Sequence, residues 1–272
     1  ISGYHLKEAA INSKMYGLIP NFFPAGALEN YQVDASKFDS KITTGAWRAP
    51  YTNFLAFAEQ SFFDELAEMM GTDRIQLHLD LLENVKGTTD ERIQYDPERL
   101  QQVIRMAVEK SDWGKPREGV YQGFAAYYCH NSHVAEVADV VVENGQPVVK
   151  RVVCVVDCGI VINPLGARNQ VEGGIIDGIG HAMFGDFAFK DGSPQATNFD
   201  DYRLIRMKEV PRVETYFIQN EESPTGLGEP ALPPAGGALA NAIKAATGLR
   251  LYNQPFINAL SELKMPEKEI IG

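Results

Sequence analysis

Cysteine is scarce and odd in number, with Cys129, Cys154 and Cys158 the three in 272 residues. That excludes a disulfide framework. Basic residues are in deficit, 25 Lys and Arg against 36 Asp and Glu for a net charge of −11. A clustered cationic surface for nucleic acid or anionic lipid is therefore excluded as a general feature. No apolar run approaches the roughly 18–20 residues that cross a bilayer. The glycines at 173, 174, 178 and 180 fit neither GxGxxG nor GxxxxGK[ST], so they are no nucleotide fingerprint.

What is present suffices for a substantial core, since 44% of the residues are hydrophobic and 22% charged. The chain opens at Ile1, and we read it as a processed or excerpted product. Residues 1–44, including "LIPNFFPAGALENY", show no clear period and read as an irregular lead-in to residues 45–272. A helical part is expected over about 52–114. In "NFLAFAEQSFFDELAEMMG", Leu55, Ala58, Phe62, Leu66 and Met69 recur at helical steps, and Gly71 is the expected stop. Glu59, Asp64, Glu65 and Glu68 read mostly as its solvated face, although Glu59 and Asp64 border the stripe closely enough to pair inward. "DRIQLHLDLLENV" predicts a second helix. "DPERLQQVIRMAVEKSDWG" predicts a third, with Asp96 as N-cap, Pro97 in the first position and Gly114 as the stop.

Residues 118–272 change character. β-branched and aromatic residues dominate "VYQGFAAYYCHNSHVAEVADVVVENGQPVVKRVVCVVDCGIVIN", broken by the hairpin signal Asn144-Gly145. "PLGARNQVEGGIIDGIGHAMFGDF" reads as a glycine-studded helix, "FAFKDGSPQ" as a hairpin, and "VPRVETYFIQN" as a strand before a final helix of small residues. Helices followed by antiparallel strands predict an α+β fold.

Few side chains carry a chemical signal. Glu229 lies between "TGLG" and a proline-rich exit that together restrict its backbone. The local sequence leaves two readings open: a base held in place, or a turn carboxylate accepting hydrogen bonds from the next helix's N-terminus. Arg48, between Trp47 and Ala49-Pro50, either binds a polar substrate through its planar fork or pairs with a nearby carboxylate. In "NQVEGGIIDGIG" the glycine density implies close approach of another backbone or a flat ligand, with Gln170 the polar residue beside it. His130 and His133 would point to opposite faces of a strand, so we read them as polar residues near a turn. Cys154 and Cys158 share a strand face without companions, so we read them as buried thiols and assign no metal ligands.

Taken in order, "GAWRAP", "AFAEQSFFDELAEMMGTD", "HVAEVADVVVENG", "RVVCVVDCGIVINP", "QVEGGIIDGIGHAMFGD", "NFDDYRLIRM" and "GLGEPALPPAGGALANAIKAATG" resemble the molybdenum-cofactor-binding large subunit of the xanthine oxidase/aldehyde oxidoreductase family. The resemblance runs from about Gly45 to Pro255, in the branch of isoquinoline 1-oxidoreductase β subunits. It implies a molybdopterin-binding domain of the aldehyde oxidase type, and it implies that Glu229 is the base beside the metal. Water-derived oxygen would go to a carbon of an N-heteroaromatic or aldehyde substrate, with hydride passing to molybdenum. Electrons would leave for a [2Fe-2S] cluster on a small partner subunit. The resemblance further places Arg48 near the substrate, and Gln170, Gly173, Gly174 and Gly228 beside the cofactor, expected in a dinucleotide form.

The family's upstream GGGFG-like and GQG-like segments do not occur in these residues, and Tyr51 stands where other branches have glycine after the proline. The expectation is therefore a C-terminal portion that needs an upstream portion of the same polypeptide and is inactive alone. The alternative is a non-catalytic scaffold or binding module of the same fold. The compartment, cytoplasmic or periplasmic, is left open.

Overall fold

The structure is a computed structural model that describes residues 1–11, 21–88 and 90–263; the expected irregular stretch at 18–20 lies outside the described residues. Among its described residues the lead-in, expected to be irregular, carries two strands. Strands β1 (Tyr4–Ile11) and β2 (Tyr31–Phe38) pair in parallel, Tyr4 opposite Tyr31. Their sequences hid them because β2 is largely exposed and polar. Attachment rests on a few aromatics, with Tyr4 stacked on Tyr31 and Phe63 at centroid distances of 5.7 and 6.0 Å.

Three helices follow: α1 (Thr52–Met70), α2 (Arg74–Val85) and α3 (Pro97–Ser111). Gly71 closes α1 in the left-handed conformation that glycine adopts freely. Asp73 and Asp96 cap α2 and α3 by accepting two backbone N–H bonds each. Asp112, not Gly114, is the left-handed residue that ends α3. The buried face of α1 differs from the expected stripe. Ala58 and Phe62 are exposed and Met69 is 80% exposed, while Glu59, Gln60, Ser61, Phe63, Asp64 and Ala67 are buried. Polar satisfaction decides this. Glu59 accepts from Tyr127 Oη at 2.7 Å and Tyr4 Oη at 3.3 Å, Gln60 Oε1 accepts from the Ala126 N–H at 2.9 Å, and Asp64 accepts from Arg250 at 3.0 Å.

The second half centres on β3 (Tyr121–Cys129), β4 (Ser132–Glu143) and β5 (Gln146–Asp157), an antiparallel meander whose β4–β5 turn is Asn144-Gly145, both at positive φ. The chain then runs through α4 (Pro164–Phe184) and a small hairpin of β6 (Phe189–Lys190) and β7 (Ser193–Pro194). It returns as β8 (Arg212–Phe217), parallel to β5, and ends with α5 (Pro233–Thr247) and α6 (Phe256–Ser261). The sheet order is β3-β4-β5-β8, so the fold is α+β with a mixed sheet.

Both faces of the sheet are covered, and strand alternation divides the core in two. Ala125, Ala138, Val152, Cys154 and Val156 face α4, α5 and α6, while Phe124, Ala126, Val137 and Val155 face α2, α3 and the β1–β2 pair. The small residues of α5 let it lie directly on β3: a side chain at Gly123 would run into the backbone of Ala242 and Ala238. All three cysteines are buried and free, Cys158 lying just past the end of β5.

Candidate active site

The loop that leaves β8 is tied to the end of the sheet before it reaches Glu229. The Thr225 N–H donates to Cys158 O at 2.9 Å, the Gly226 N–H to His130 O at 3.1 Å, and Ser132 Oγ to Gly226 O at 2.5 Å. Gly226 is a required glycine, because a Cβ there would lie 2.8 Å from His130 O. Gly228, by contrast, is exposed, and a Cβ on it would meet only Gln170 Oε1 at 3.7 Å. The first glycine of this stretch thus serves docking of the loop, and the second leaves bare main chain beside Gln170.

Glu229 follows with its side chain one-third exposed, so the flanking Gly and Pro residues hold the carboxylate at a surface. Oε1 accepts the Ala49 N–H at 3.0 Å, and Oε2 lies 2.6 Å from His130 Nε2. The Ala49 donor is set by unusual backbone. Ala49 and Tyr51 have φ of 57° and 63° on either side of Pro50, a conformation unfavourable for side-chain-bearing residues, immediately before α1. Tyr51 thus occupies a backbone conformation that a glycine would adopt without strain.

Of the two partners left open for it, Arg48 has the carboxylate, and main-chain carbonyls take up the rest of its fork. Its Nε donates to Gly228 O at 2.7 Å and its Nη2 to Gln170 O at 3.0 Å, while Nη1 lies 3.8 Å from Asp177 Oδ2. Burial raises the Asp177 carboxyl above its usual range, and Arg48 offsets part of that rise. Here Arg48 ties α4 to the Glu229 loop. Trp47 does not pack in the core: it is 39% exposed and lies against the His181 ring at 4.3 Å.

Arg48, Gln170, Gly173, Gly228 and Glu229 therefore meet at one end of α4, Gly173 being on the Arg48 side, 3.7 Å from Nη1 if a Cβ were present. Gly174 departs from the expectation. It is buried against Ala231 and Leu232, and Gly178 against Leu232 and Ala235, so these glycines bring α4 onto the chain entering α5. Gln170 is exposed, and Arg168 and Asn169 are exposed before it, giving a polar surface next to the bare main chain of Gly228.

His130 is the residue that strand-face reasoning missed. It is not in a strand. With Asn131 it forms the two-residue β3–β4 turn, both at positive φ, closed by the Cys129–Ser132 pair. Asn131 between two apolar runs was the available signal. His133 lies within β4, is 2% exposed, and accepts the Asp96 N–H at 3.0 Å; burial holds it neutral, its pKa lowered to about 4.

The fold resembles quinoline 2-oxidoreductase from Pseudomonas putida, at a TM-score of 0.77 and 12% identity over 96% of this chain and 60% of that one. It also resembles an aldehyde oxidoreductase from Desulfovibrio desulfuricans, at a TM-score of 0.70 and 14% identity over 94% of this chain and 46% of that one. In sequence, the chain is 28% identical to the beta subunit of isoquinoline 1-oxidoreductase of Brevundimonas diminuta, over 94% of this chain and 34% of that protein. It is 30% identical to a nicotinate dehydrogenase subunit of Pseudomonas putida, over 74% of this chain and 18% of that protein. The chain thus spans about a third or less of the curated relatives just described. A family model described as a molybdopterin cofactor-binding domain matches residues 57–211, more than half of the chain. The chain belongs to the molybdopterin-binding family of molybdenum oxidoreductases that includes the xanthine dehydrogenase molybdenum-binding subunits.

Proposed function

We propose that this chain carries the proton-accepting part of a molybdenum hydroxylase site that acts on an N-heteroaromatic or aldehyde substrate, with Glu229 as the base. The observation that carries the reading is the Glu229 carboxylate, held at a surface by Ala49 and His130 beside the bare main chain of Gly228. A base must be aimed before it is strong, and the hydrogen bond from Ala49 to one oxygen, with the His130 ring against the other, aims this one.

The residues present fit a molybdopterin. Gly228 leaves open the space beside Gln170 that a longer side chain would fill, and the Gln170 carboxamide can donate to and accept from a pterin edge. We assign cofactor contact to Gln170, Gly173 and Gly228. The exposed Arg168 suits the phosphates of a dinucleotide form. When bound, the cofactor supplies a two-electron oxidising centre for hydroxylation with oxygen drawn from water. Glu229 accepts the proton released in that step. Arg48 holds the carbonyls of Gly228 and Gln170 at a fixed spacing, keeping the base and the cofactor-facing helix in register.

Completion of the site falls to other polypeptide: an upstream portion of the same protein, and a small [2Fe-2S] subunit that takes the electrons. Ile160, Ile162 and Leu165, 45%, 77% and 72% exposed at the start of α4, are apolar surface suited to such a covering. The 272-residue chain alone is accordingly inactive. Glu229→Gln in the complete complex tests the assignment: turnover should fall at least about a hundredfold, the range for a lost general base, with molybdenum and pterin content unchanged. Unchanged turnover would reduce Glu229 to a turn residue, and absence of molybdenum from the complete complex would favour a non-catalytic scaffold.

A further inference from the structure

The contacts of Glu229 continue beyond His130 and close into a ring. His130 Nδ1 lies 2.7 Å from Cys129 Sγ, Cys129 Sγ lies 3.2 Å from Thr52 Oγ1, and Thr52 Oγ1 donates to Ala49 O at 3.1 Å. Ala49 returns to Glu229 through its N–H. Carboxylate, imidazole, thiol, hydroxyl and the main chain of one residue thus form a single circuit drawn from three segments of the chain.

Counting hydrogens restricts its states. A carbonyl oxygen only accepts, so the Thr52 hydroxyl hydrogen is committed to Ala49 O. One hydrogen, that of the Cys129 thiol, remains to serve either Thr52 Oγ1 or His130 Nδ1. With His130 neutral, the thiol donates to Nδ1 and Nε2–H faces Glu229 Oε2 at 2.6 Å. With His130 cationic, Nδ1–H donates to sulfur, the thiol turns to Thr52 Oγ1, and Nε2–H still faces Glu229 Oε2. In both states the same nitrogen presents a hydrogen to Oε2, and only the thiol hydrogen has to rotate.

We propose that His130 is a positioning residue for Glu229, held in the Nε2–H form by the buried Cys129 thiol. Cys129 is 1% exposed. Burial pushes its pKa up to about 12, so it stays a thiol and is no nucleophile despite the Cys–His–Glu order. The His130 main chain is fixed as well, through Gly226. Among the described residues, the charged or titratable groups bonded to the imidazole are Cys129 and Glu229. The inference takes its functional meaning from Glu229 as base, but the wiring is measurable without turnover.

The test is nitrogen NMR of the complete complex labelled in histidine, with the His130 signals assigned by their loss in His130→Gln. At a pH where His130 is neutral, we expect the Nε2–H tautomer in at least about tenfold excess, the effect of one to two hydrogen bonds. Cys129→Ala should bring the ratio down several-fold by leaving Nδ1 without a donor. An even mixture in wild type, the opposite tautomer, or a ratio unmoved by Cys129→Ala would overturn the proposal, whatever Glu229 does. In the complete complex, His130→Ala should lower kcat about tenfold or more with KM unchanged, and His130→Gln, whose amide N–H can still reach Oε2, should recover most of it. Equal losses in both variants would also overturn it. Loss of turnover in Glu229→Gln together with an intact tautomer ratio separates the base reading from this one. Where an alanine variant does not fold, the wild-type tautomer decides alone.

Discussion

Replacing Glu59 with glutamine should alter the pH dependence of stability more than its absolute value. Glu59 is 6% exposed within α1, and its two hydrogen-bond partners are phenols. Burial raises its pKa from 4.5 to about 7, with the bonds from Tyr127 and Tyr4 offsetting part of the rise. Between those values the folded chain retains a proton that the unfolded chain releases. Its stabilising contribution is therefore complete below pH 4.5 and lost as pH rises through 7. At about 1.4 kcal/mol per pKa unit, the loss is roughly 3 kcal/mol. Glutamine keeps an acceptor for a tyrosine hydroxyl and has no proton to lose. The stability of Glu59→Gln relative to wild type should thus climb by about 3 kcal/mol from pH 4.5 to pH 8, or roughly 6–10 °C in Tm for a chain of this size. Urea or thermal unfolding across that pH range measures it. A difference that stays flat with pH would show that Glu59 is already ionised in the folded protein, and would refute the argument.

Gly123→Ala should destabilise by at least about 3 kcal/mol, because the new methyl group meets α5 backbone that cannot move without leaving the sheet; near-wild-type thermal unfolding would contradict the close approach of α5 to β3. Arg48→Ala removes two charge-assisted bonds from carbonyls of which one, at Gly228, is open to water, so the expected loss is only about 1–2 kcal/mol. Its sharper sign is faster amide exchange over residues 225–229, which Arg48→Lys should not correct because it lacks the planar fork. Protection equal to wild type in Arg48→Ala would mean that the loop's bonds to Cys158, His130, Ser132 and Ala49 hold it without the guanidinium.

The sequence made the helices legible where a local event decides them. Asp73 and Asp96 bond to backbone in the next turn, and Gly71 and Asn144-Gly145 answer to φ alone. Family resemblance located the Glu229 loop, and the structure brings Arg48 and Gln170 to it. What could not be read depends on distant partners. The face of α1 follows from where Tyr4, Tyr127 and Arg250 stand, none of them within α1. β1 and β2 do alternate, with Tyr31, Val33 and Ala35 separated by polar residues, but nothing nearby in sequence announces a parallel pair whose anchor is Phe63. His130 lies at the turn expected of it, but its contact with Glu229 comes from a loop distant in sequence that no local pattern announces.

The two bonds that join Arg48 to Gly228 and Ala49 to Glu229 each span 180 residues. The entropy of closing so long a loop rises only with the logarithm of its length, so it is a modest thermodynamic burden. Its effect on the order of events is larger. Helices and the β3–β4–β5 meander can form from contacts close in sequence, whereas these two bonds wait until both ends of the loop have been brought together. Competence is therefore acquired late, after most secondary structure is in place, and a population that looks folded by its helix content can still contain molecules without a site.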